Sequence, residues 1–518
     1  MSESSKIAQR FWELGNQQPE KLAIRFGMPG QTEDFDFAKF WRRVERVTGH
    51  LQMTHSLEVG QRVAWLGLNH ELQLVSLVAC ARLGLIFMPL NFRLALPELY
   101  SVLQDAKPSI LIHDEVHTDA ANSLSKEGLP SCRLEILIST SSPKHLALPV
   151  VSEKSDVLLV YTSGTTGLPK GAVHTQAGLL ANAKASDEAH AFKATDIVLS
   201  TLPLFHVGGL CIQTLPALLA GVSVHLHPRF DANAWLTDVS EGELAKRPTL
   251  SLLVPATMRA VLEHKQWASA NLKSLRGIMA GSSTLPHAYL EIFHARGVPV
   301  GQIYGTTETG PVSVILKFQD AIERMGFAGW PHAALELQLI DSVGRQVNQG
   351  AIGEVRVRGD NLMRTYWRAG PKGGVEGLND GWFCTGDMGY LDVDGCLQIV
   401  GRNKDMIISG GENIYPAEIE NALASFPGLS ECAVVGLPDE RWGEVPILVL
   451  VRASSAVDRQ QTEAAVKTHL EAQIARFKLP RRVVFLEVLP KSALGKVQKP
   501  MLVKQLSWSQ FHETNIQK

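Results

Sequence analysis

The chain has 518 residues, of which 45% are apolar and 20% charged, which is room for about three domains. That composition is ordinary for a globular protein and excludes a disordered chain, a collagen-like fibre and a disulfide-stapled mini-domain. Lys plus Arg is 50 and Asp plus Glu is 52, a formal net charge of -2, so charge gives no footing to a nucleic-acid or anionic-membrane binder.

From the start, residues 1–18 carry Lys6, Arg10 and Glu13 with no uninterrupted apolar run, so no secretory leader is expected. Phe40, Val44, Val47 and Leu51 fall on one helical face. Arg62–Leu66 reads as a short buried strand and Glu71–Leu83 as a helix. Further strands are expected at Ser109–Ile112, Val157–Tyr161, Ile197–Leu199, Leu250–Val254 and Gly277–Ala280, with helical stretches between most of them. Leu74–Leu90 and Val207–Leu226 approach membrane-spanning length. Arg82 and Pro89 break the first, and Gln213, Pro216 and His225 sit in the second, so both read as buried core. The alternation predicts an α/β fold with mainly parallel sheets in a large N-terminal body.

The Gly- and Pro-rich stretch Ala369–Asp380 reads as a loop. Tyr390–Ile399 carries a hairpin signal at Asp392–Gly395. A charged link, Gly401–Asp405, follows. Then come an expected helix Ala417–Ser425, strands Cys432–Gly436 and Ile447–Val451, a helix Thr462–Ile474 and a strand Val483–Val488. That is the make-up of a small α+β domain. The expected division is residues 1–401, a hinge at 402–404, and residues 405–518. The six cysteines form no CxxC pair and read as reduced core residues of a cytoplasmic protein. The last residues, Asn515–Lys518, match no retention or peroxisomal address.

The sharpest local feature runs from Tyr161 to Gly171: Tyr-Thr-Ser-Gly-Thr-Thr-Gly-Leu-Pro-Lys-Gly. Glycines let backbone N–H groups approach an oxyanion, hydroxyls donate further bonds, and lysine neutralises charge. The spacing from Gly164 lacks the glycine–lysine pair of a Walker A loop, which disfavours an ordinary P-loop kinase or ATPase.

This segment resembles the signature of the adenylate-forming superfamily, which holds acyl- and aryl-CoA synthetases, adenylation domains of peptide synthetases, and luciferases. Five further segments resemble that family's motifs in the same order. They are Ile303–Thr309, Gly381–Asp387, Gly401–Asp405, Ser409–Pro416 and Pro490–Lys496, and together they span nearly the whole chain. The resemblance implies an AMP-forming acid–CoA ligase with a large multi-sheet N-terminal domain and a small mobile C-terminal domain. ATP, Mg2+ and coenzyme A are the implied cofactors and co-substrates, and a small carboxylic acid is the other partner.

Residue by residue, the resemblance places Thr162, Ser163, Gly164, Thr165, Thr166, Gly167 and Lys170 on the ATP phosphates. Ser282, Tyr304, Gly305, Thr306 and Thr307 belong to the nucleotide site, with Tyr304 offering a face to adenine. Asp387 takes the ribose hydroxyls with help from Arg402. Glu308 holds Mg2+ and counts with Lys496 and His206 among the catalytic residues. Lys404 matches the hinge. Gly410, Gly411 and Trp442 match CoA contacts, although Leu479 stands where related ligases can carry a basic residue. Phe205, His206, Gly281, Ser282, Gly305 and Gly310 line the implied acyl pocket. Its small, neutral walls suit an aryl or medium-chain fatty acid better than a second carboxylate, which would want an Arg or Lys partner. Two rivals stand beside this reading: a stand-alone adenylation protein that loads a carrier, and a non-catalytic nucleotide-binding regulator. The residues leave the oligomeric state open, a homodimer among the options.

Overall fold

Helix Phe37–Met53 starts where the Asp36 carboxylate accepts from the Lys39 N–H, and it buries the predicted stripe of Phe40, Val44, Val47 and Leu51. Helix Glu71–Leu83 buries nearly its whole circumference, which a helix does only when covered on both sides. The cover is two sheets. The computed structural model describes residues 5–515, apart from 127, 140–147, 163–168, 282–284, 368–377, 410–411, 425, 440, 454–457 and 492–495.

The seven-stranded sheet runs in the order Thr365–Tyr366, Lys170–Thr175, Asp156–Thr162, Ile86–Pro89, Arg62–Leu66, Ile110–His113, Ser131–Arg133. The nine-stranded sheet runs Trp330–Pro331, Val314–Leu316, Val300–Tyr304, Gly277–Gly281, Leu250–Leu253, Ile197–Ser200, Ser223–Leu226, Leu22–Met28, Gln31–Asp36. Their centres are parallel; the nine-stranded sheet turns antiparallel at both edges, and the seven-stranded one only at its Thr365–Tyr366 end, since its other edge strand Ser131–Arg133 pairs parallel. Val63 and Trp65 of one sheet share a core with Val198 and Val224 of the other, through Leu74, Val78 and Val44 of the helices between. Helices Ala232–Ser240, Pro255–Leu262 and His287–Ala295 cover the far face of the larger sheet. Helices Leu96–Ala106 and Thr118–Leu124 cover the far face of the smaller one. The body is therefore five layers deep, alternating helix and sheet.

A third, antiparallel sheet holds Glu336–Ile340, Gly353–Arg358, Trp382–Leu391 and Leu378–Asn379, with Leu397–Arg402 also on Trp382–Leu391. The hairpin predicted at Asp392–Gly395 closes its last two strands. Most of the loop read at Ala369–Asp380 lies outside the described residues, but Leu378–Asn379 pairs with Trp382–Phe383 as a two-residue strand. That corrects the loop reading at its end. Asn403–Asp405 is a short 3-10 turn.

The fourth sheet is built only from residues beyond that turn. Its order is Glu412–Ile414, Ile407–Ser409, Gly443–Arg452, Leu429–Asp439, with Arg482–Phe485 parallel to Gly443–Arg452. Helices Pro416–Ala422 and Arg459–Gln473 pack on it. The strand read to Val488 ends at Phe485, where its partner's register runs out at Leu450, and Val488 is exposed. Helix Lys499–Asn515 went unread because Leu502 and Leu506 are its only buried apolar residues among those described. All six cysteines are free thiols; Cys80, Cys211 and Cys396 lie in the core as read, whereas Cys132, Cys384 and Cys432 are only half-buried. No helix among the described residues is long and apolar enough to cross a membrane.

Candidate active site

Parallel strands aim their carboxyl ends at one edge of a sheet, and ligands of open α/β sheets sit there. Gly281 and Tyr304 end two neighbouring strands of the nine-stranded sheet, and the loop carrying Phe205 and His206 follows a third, Ile197–Ser200. Thr162 ends a strand of the seven-stranded sheet and pairs across with Lys170. The fold thus gathers the motifs at one edge. Ser163, Gly164, Thr165, Thr166, Gly167, Ser282, Gly410 and Gly411 lie outside the described residues.

The hairpin sets Asp387 directly opposite Arg402, close enough for side chains to pair. Arg402 Nε meets Asp387 Oδ1 at 2.9 Å. The Tyr304 hydroxyl donates to Asp387 Oδ2 at 2.8 Å and lies 3.2 Å from the Thr385 hydroxyl. Burial and the Asp387 carboxylate push the Tyr304 phenol well above its ordinary range, so it stays a donor. The bond from its tip fixes the ring that the motif reading offers to adenine. A cavity of about 430 Å³ opens beside this group, lined by Thr385, Gly386, Arg402, Asn403 and Lys404.

On the other side, the Tyr366 hydroxyl donates to Glu308 Oε1 at 2.8 Å, and the Lys170 ammonium lies 5.5 Å from the Tyr366 ring centre. Tyr366 therefore links Lys170 to Glu308. Sequence reasoning missed it, since a two-residue strand after a long connection carries no periodic signal. Glu308 Oε2 has no protein partner among the described residues. One carboxylate oxygen held and one open suits Mg2+, which keeps several waters and takes one or two carboxylates.

His206 Nδ1 accepts from the Gly208 N–H at 3.0 Å. Desolvation pushes this imidazole down to about 4, with Lys496 lowering it further and Glu308 opposing. The ring is neutral at physiological pH, and the bond to Nδ1 leaves its hydrogen on Nε2. Gly209 lies against this turn: a Cβ there would stand 2.3 Å from the Pro203 carbonyl oxygen.

Lys496 reaches the same place from the fourth sheet's side. Its residue keeps solvent contact, yet surrounding protein desolvates the ammonium and pushes it down to about 8. Arg402 and Lys404 add to the shift while Asp387 and Asp405 oppose it. The lysine is a cation below that value and loses its charge above it. If the charge serves adenylation, kcat/KM for that half-reaction falls as pH rises through about 8, because kcat/KM reports the free enzyme. Lys496→Arg should shift that limb beyond the range where the protein is folded. A profile flat to pH 10 in the wild type would remove Lys496 from the step.

The segment expected to line the acyl pocket has one unpredicted part. Phe205 packs edge-on against Phe92 with ring centres 5.2 Å apart, and the Arg93 guanidinium lies 5.6 and 5.9 Å from the two rings. The walls read as neutral thus have a cation at their margin. Gly305 and Gly310 admit no side chain: a Cβ would come 1.8 Å from the Pro311 oxygen and 2.2 Å from the Asn361 oxygen, and Gly310 has a left-handed φ of 89°. Gly305→Ala should cost about 1–3 kcal/mol of stability through overpacking. Thermal unfolding would show it as a midpoint several degrees lower, and an unchanged midpoint would contradict the close fit.

In the small sheet, Trp442 lies between Arg441 and Arg481, each guanidinium 5.0 Å from its ring. Arg481 went unnoticed because the family's basic position falls on Leu479. Lys478 is held by Glu418 at 2.7 Å. The two bodies touch where Arg259 donates to the Ser430 carbonyl at 3.0 Å and lies 3.9 Å from Glu431, which also pairs with Lys491 at 2.7 Å.

A cleft at the strand edge, reached by a lysine from a second domain, is the arrangement expected of an adenylate-forming enzyme. The model of the AMP-binding enzyme family matches residues 11–367, and that of the AMP-binding enzyme C-terminal domain matches residues 418–496. The chain is 44% identical over 496 residues to an indoleacetate–CoA ligase of Aromatoleum aromaticum, covering 93% of this chain and 94% of that protein. It is 39% identical over 486 residues to a feruloyl-CoA synthase of Amycolatopsis, covering 93% and 95%. Among solved structures, o-succinylbenzoate-CoA synthetase of Bacillus subtilis in complex with ATP and magnesium ion superposes with a TM-score of 0.83 at 29% identity, covering 96% and 99%. The chain belongs to the AMP-binding enzyme family and is an AMP-forming acid–CoA ligase with ATP, Mg2+ and coenzyme A as co-substrates and cofactor.

Proposed function

We propose that the acid is a neutral aryl monocarboxylate. The observation that carries this is the Phe205–Phe92 edge-to-face pair beside His206, a wall that offers a third ring both a face and an edge. The similarity to ligases named for indoleacetate and ferulate supports it. Arg93 at the margin favours a second reading, an aryl acid with an anionic substituent.

The roles follow from chemistry. A carboxylate oxygen of the acid bonds to the α-phosphorus of ATP, and pyrophosphate leaves with the electron pair of the broken P–O bond. Two anions must approach, so positioned cations and donors supply the catalysis. Lys496 neutralises the carboxylate and α-phosphate oxygens. His206 Nε2–H donates to the carboxylate. Asp387 accepts the ribose hydroxyls while Arg402 and Tyr304 hold it, and Lys170 serves the phosphates with the loop Thr162–Gly167. Glu308, oriented by Tyr366, holds Mg2+, which when bound shields phosphate charge. In the second half-reaction the small domain turns about residues 402–404, Lys404 among them. That turn withdraws Lys496 and brings Gly410 and Gly411 to the pantetheine thiol. Trp442 with Arg441 and Arg481 takes the CoA nucleotide, in place of the basic residue missing at Leu479. The reading divides the chain at 1–401 and 405–518, and places the enzyme in the cytoplasm, which its free thiols support. Light scattering reads whether it is a homodimer.

The test is a pyrophosphate-release assay with CoA over indole-3-acetate, a hydroxycinnamate, octanoate and 2-succinylbenzoate. The aryl monocarboxylates should exceed octanoate in kcat/KM by at least about tenfold, the worth of roughly 1.4 kcal/mol in the pocket. A preference for octanoate would sink the aryl reading. A preference for the dicarboxylate would hand the pocket to Arg93.

A further inference from the structure

A cluster outside the nucleotide edge is unused by this chemistry. His50 lies in the last turn of helix Phe37–Met53, His55 just beyond it, and Cys132 in edge strand Ser131–Arg133. One ring nitrogen from each histidine and the Cys132 sulfur all lie within 4.8 Å of one another. The backbone is bent to achieve this. Ser56 takes a left-handed φ of 50°, its N–H donates to the Gln52 carbonyl at 3.1 Å, and the Leu57 N–H donates to the Leu51 carbonyl at 3.4 Å. That is a helix-ending turn usually given to glycine. It folds His55 back until its ring stands edge-on to His50, ring centres 5.3 Å apart. His55 Nε2 is buried with no hydrogen-bond partner, which native proteins rarely tolerate without a reason.

We infer that His50, His55 and Cys132 form a binding site for a thiophilic divalent ion of the zinc class, which ties the end of the central-layer helix to the edge of the seven-stranded sheet. The donor set decides the class. Two imidazoles and one thiolate suit zinc or its neighbours, and the cluster holds no carboxylate for Mg2+ or Ca2+. Water completes the four-coordinate shell. Burial holds both histidines below their ordinary range, so they meet a metal as neutral ligands. The same burial pushes the Cys132 thiol up to about 12. Binding must therefore break the S–H bond as the S–metal bond forms, with the proton passing to solvent. Neighbouring charge does not block this, because Arg133 pairs with Glu135 at 3.1 Å. The site ties residues far apart in sequence, and the reading stands apart from the ligase assignment.

The experiment uses the full-length protein, freed of metal and titrated with Co2+ as a visible probe. The expected result is one cobalt per chain with a thiolate-to-cobalt charge-transfer band that zinc abolishes. Cys132→Ser should lose that band, and His55→Gln should weaken binding by at least about tenfold. A wild-type titration with no band beyond that of folded Cys132→Ser overturns the site. If Cys132→Ser does not fold, wild-type alkylation decides: zinc should slow iodoacetamide reaction at Cys132 and leave that at Cys384 unchanged. Equal rates at Cys132 with and without zinc also overturn it.

Discussion

Lys496→Ala should lower acid-dependent adenylation by about 10²–10³-fold, the usual cost of removing one positioned donor to developing charge. It should leave thioester formation from supplied acyl-adenylate near wild-type. The split follows from where the lysine comes from. It is the only catalytic side chain proposed on the small-domain side, and its charge is felt at both Asp387 and His206. The contact of Arg259 with Ser430 and Glu431 holds the two bodies in the arrangement that puts it there. Once that arrangement opens, the lysine has no anion to meet and its loss should cost nothing. Burst amplitudes of pyrophosphate, compared with CoA-thioester formation from isolated adenylate, separate the halves. Equal losses in both would show that the residue supports the fold or the swing, not the charge.

How much of this could be read from the residues differs by site. The buried strands at Arg62–Leu66, Ile110–His113, Asp156–Thr162, Ile197–Ser200, Leu250–Leu253 and Gly277–Gly281 were legible because an apolar run between turn residues has few other uses, whereas Ile86–Pro89 and Ser223–Leu226 were not, each being the end of a longer apolar stretch that begins as helix. Asp387 and Arg402 were each legible as motif members. Their pairing was not, because it depends on the antiparallel register between two strands. Tyr366, Phe92 and Arg93 sit in the site without any motif. Each arrives through a contact distant in sequence, and a single chain carries no trace of such contacts. Strands Ile407–Ser409 and Glu412–Ile414 were too short to show a period. Arg481 was hidden for another reason: its charge lies two residues from the position the family pattern watches.

Asp387→Asn should raise the KM for ATP by about 10–100-fold, since hydrogen bonds to a charged group are worth about 1.5–3 kcal/mol. The amide keeps the shape but offers one acceptor oxygen where the carboxylate offers two. In the native site both oxygens are already oriented, one by Arg402 Nε at 2.9 Å and one by the Tyr304 hydroxyl at 2.8 Å. Their remaining lone pairs can then face two ribose hydroxyls. With the amide, one ribose hydroxyl meets an N–H and Arg402 loses its counter-charge. Arg402 is partly exposed, so solvent screens much of that loss and the fold should survive. Tyr304→Phe is the control. It removes one orienting bond and leaves the carboxylate, so ATP KM should rise only a few-fold. The KM for the acid should stay unchanged in both, because the Phe205, Phe92 and His206 side chains proposed to meet it belong to other elements. A folded Asp387→Asn protein with normal ATP KM would mean that the carboxylate merely closes the hairpin onto Tyr304, and that the ribose is held elsewhere.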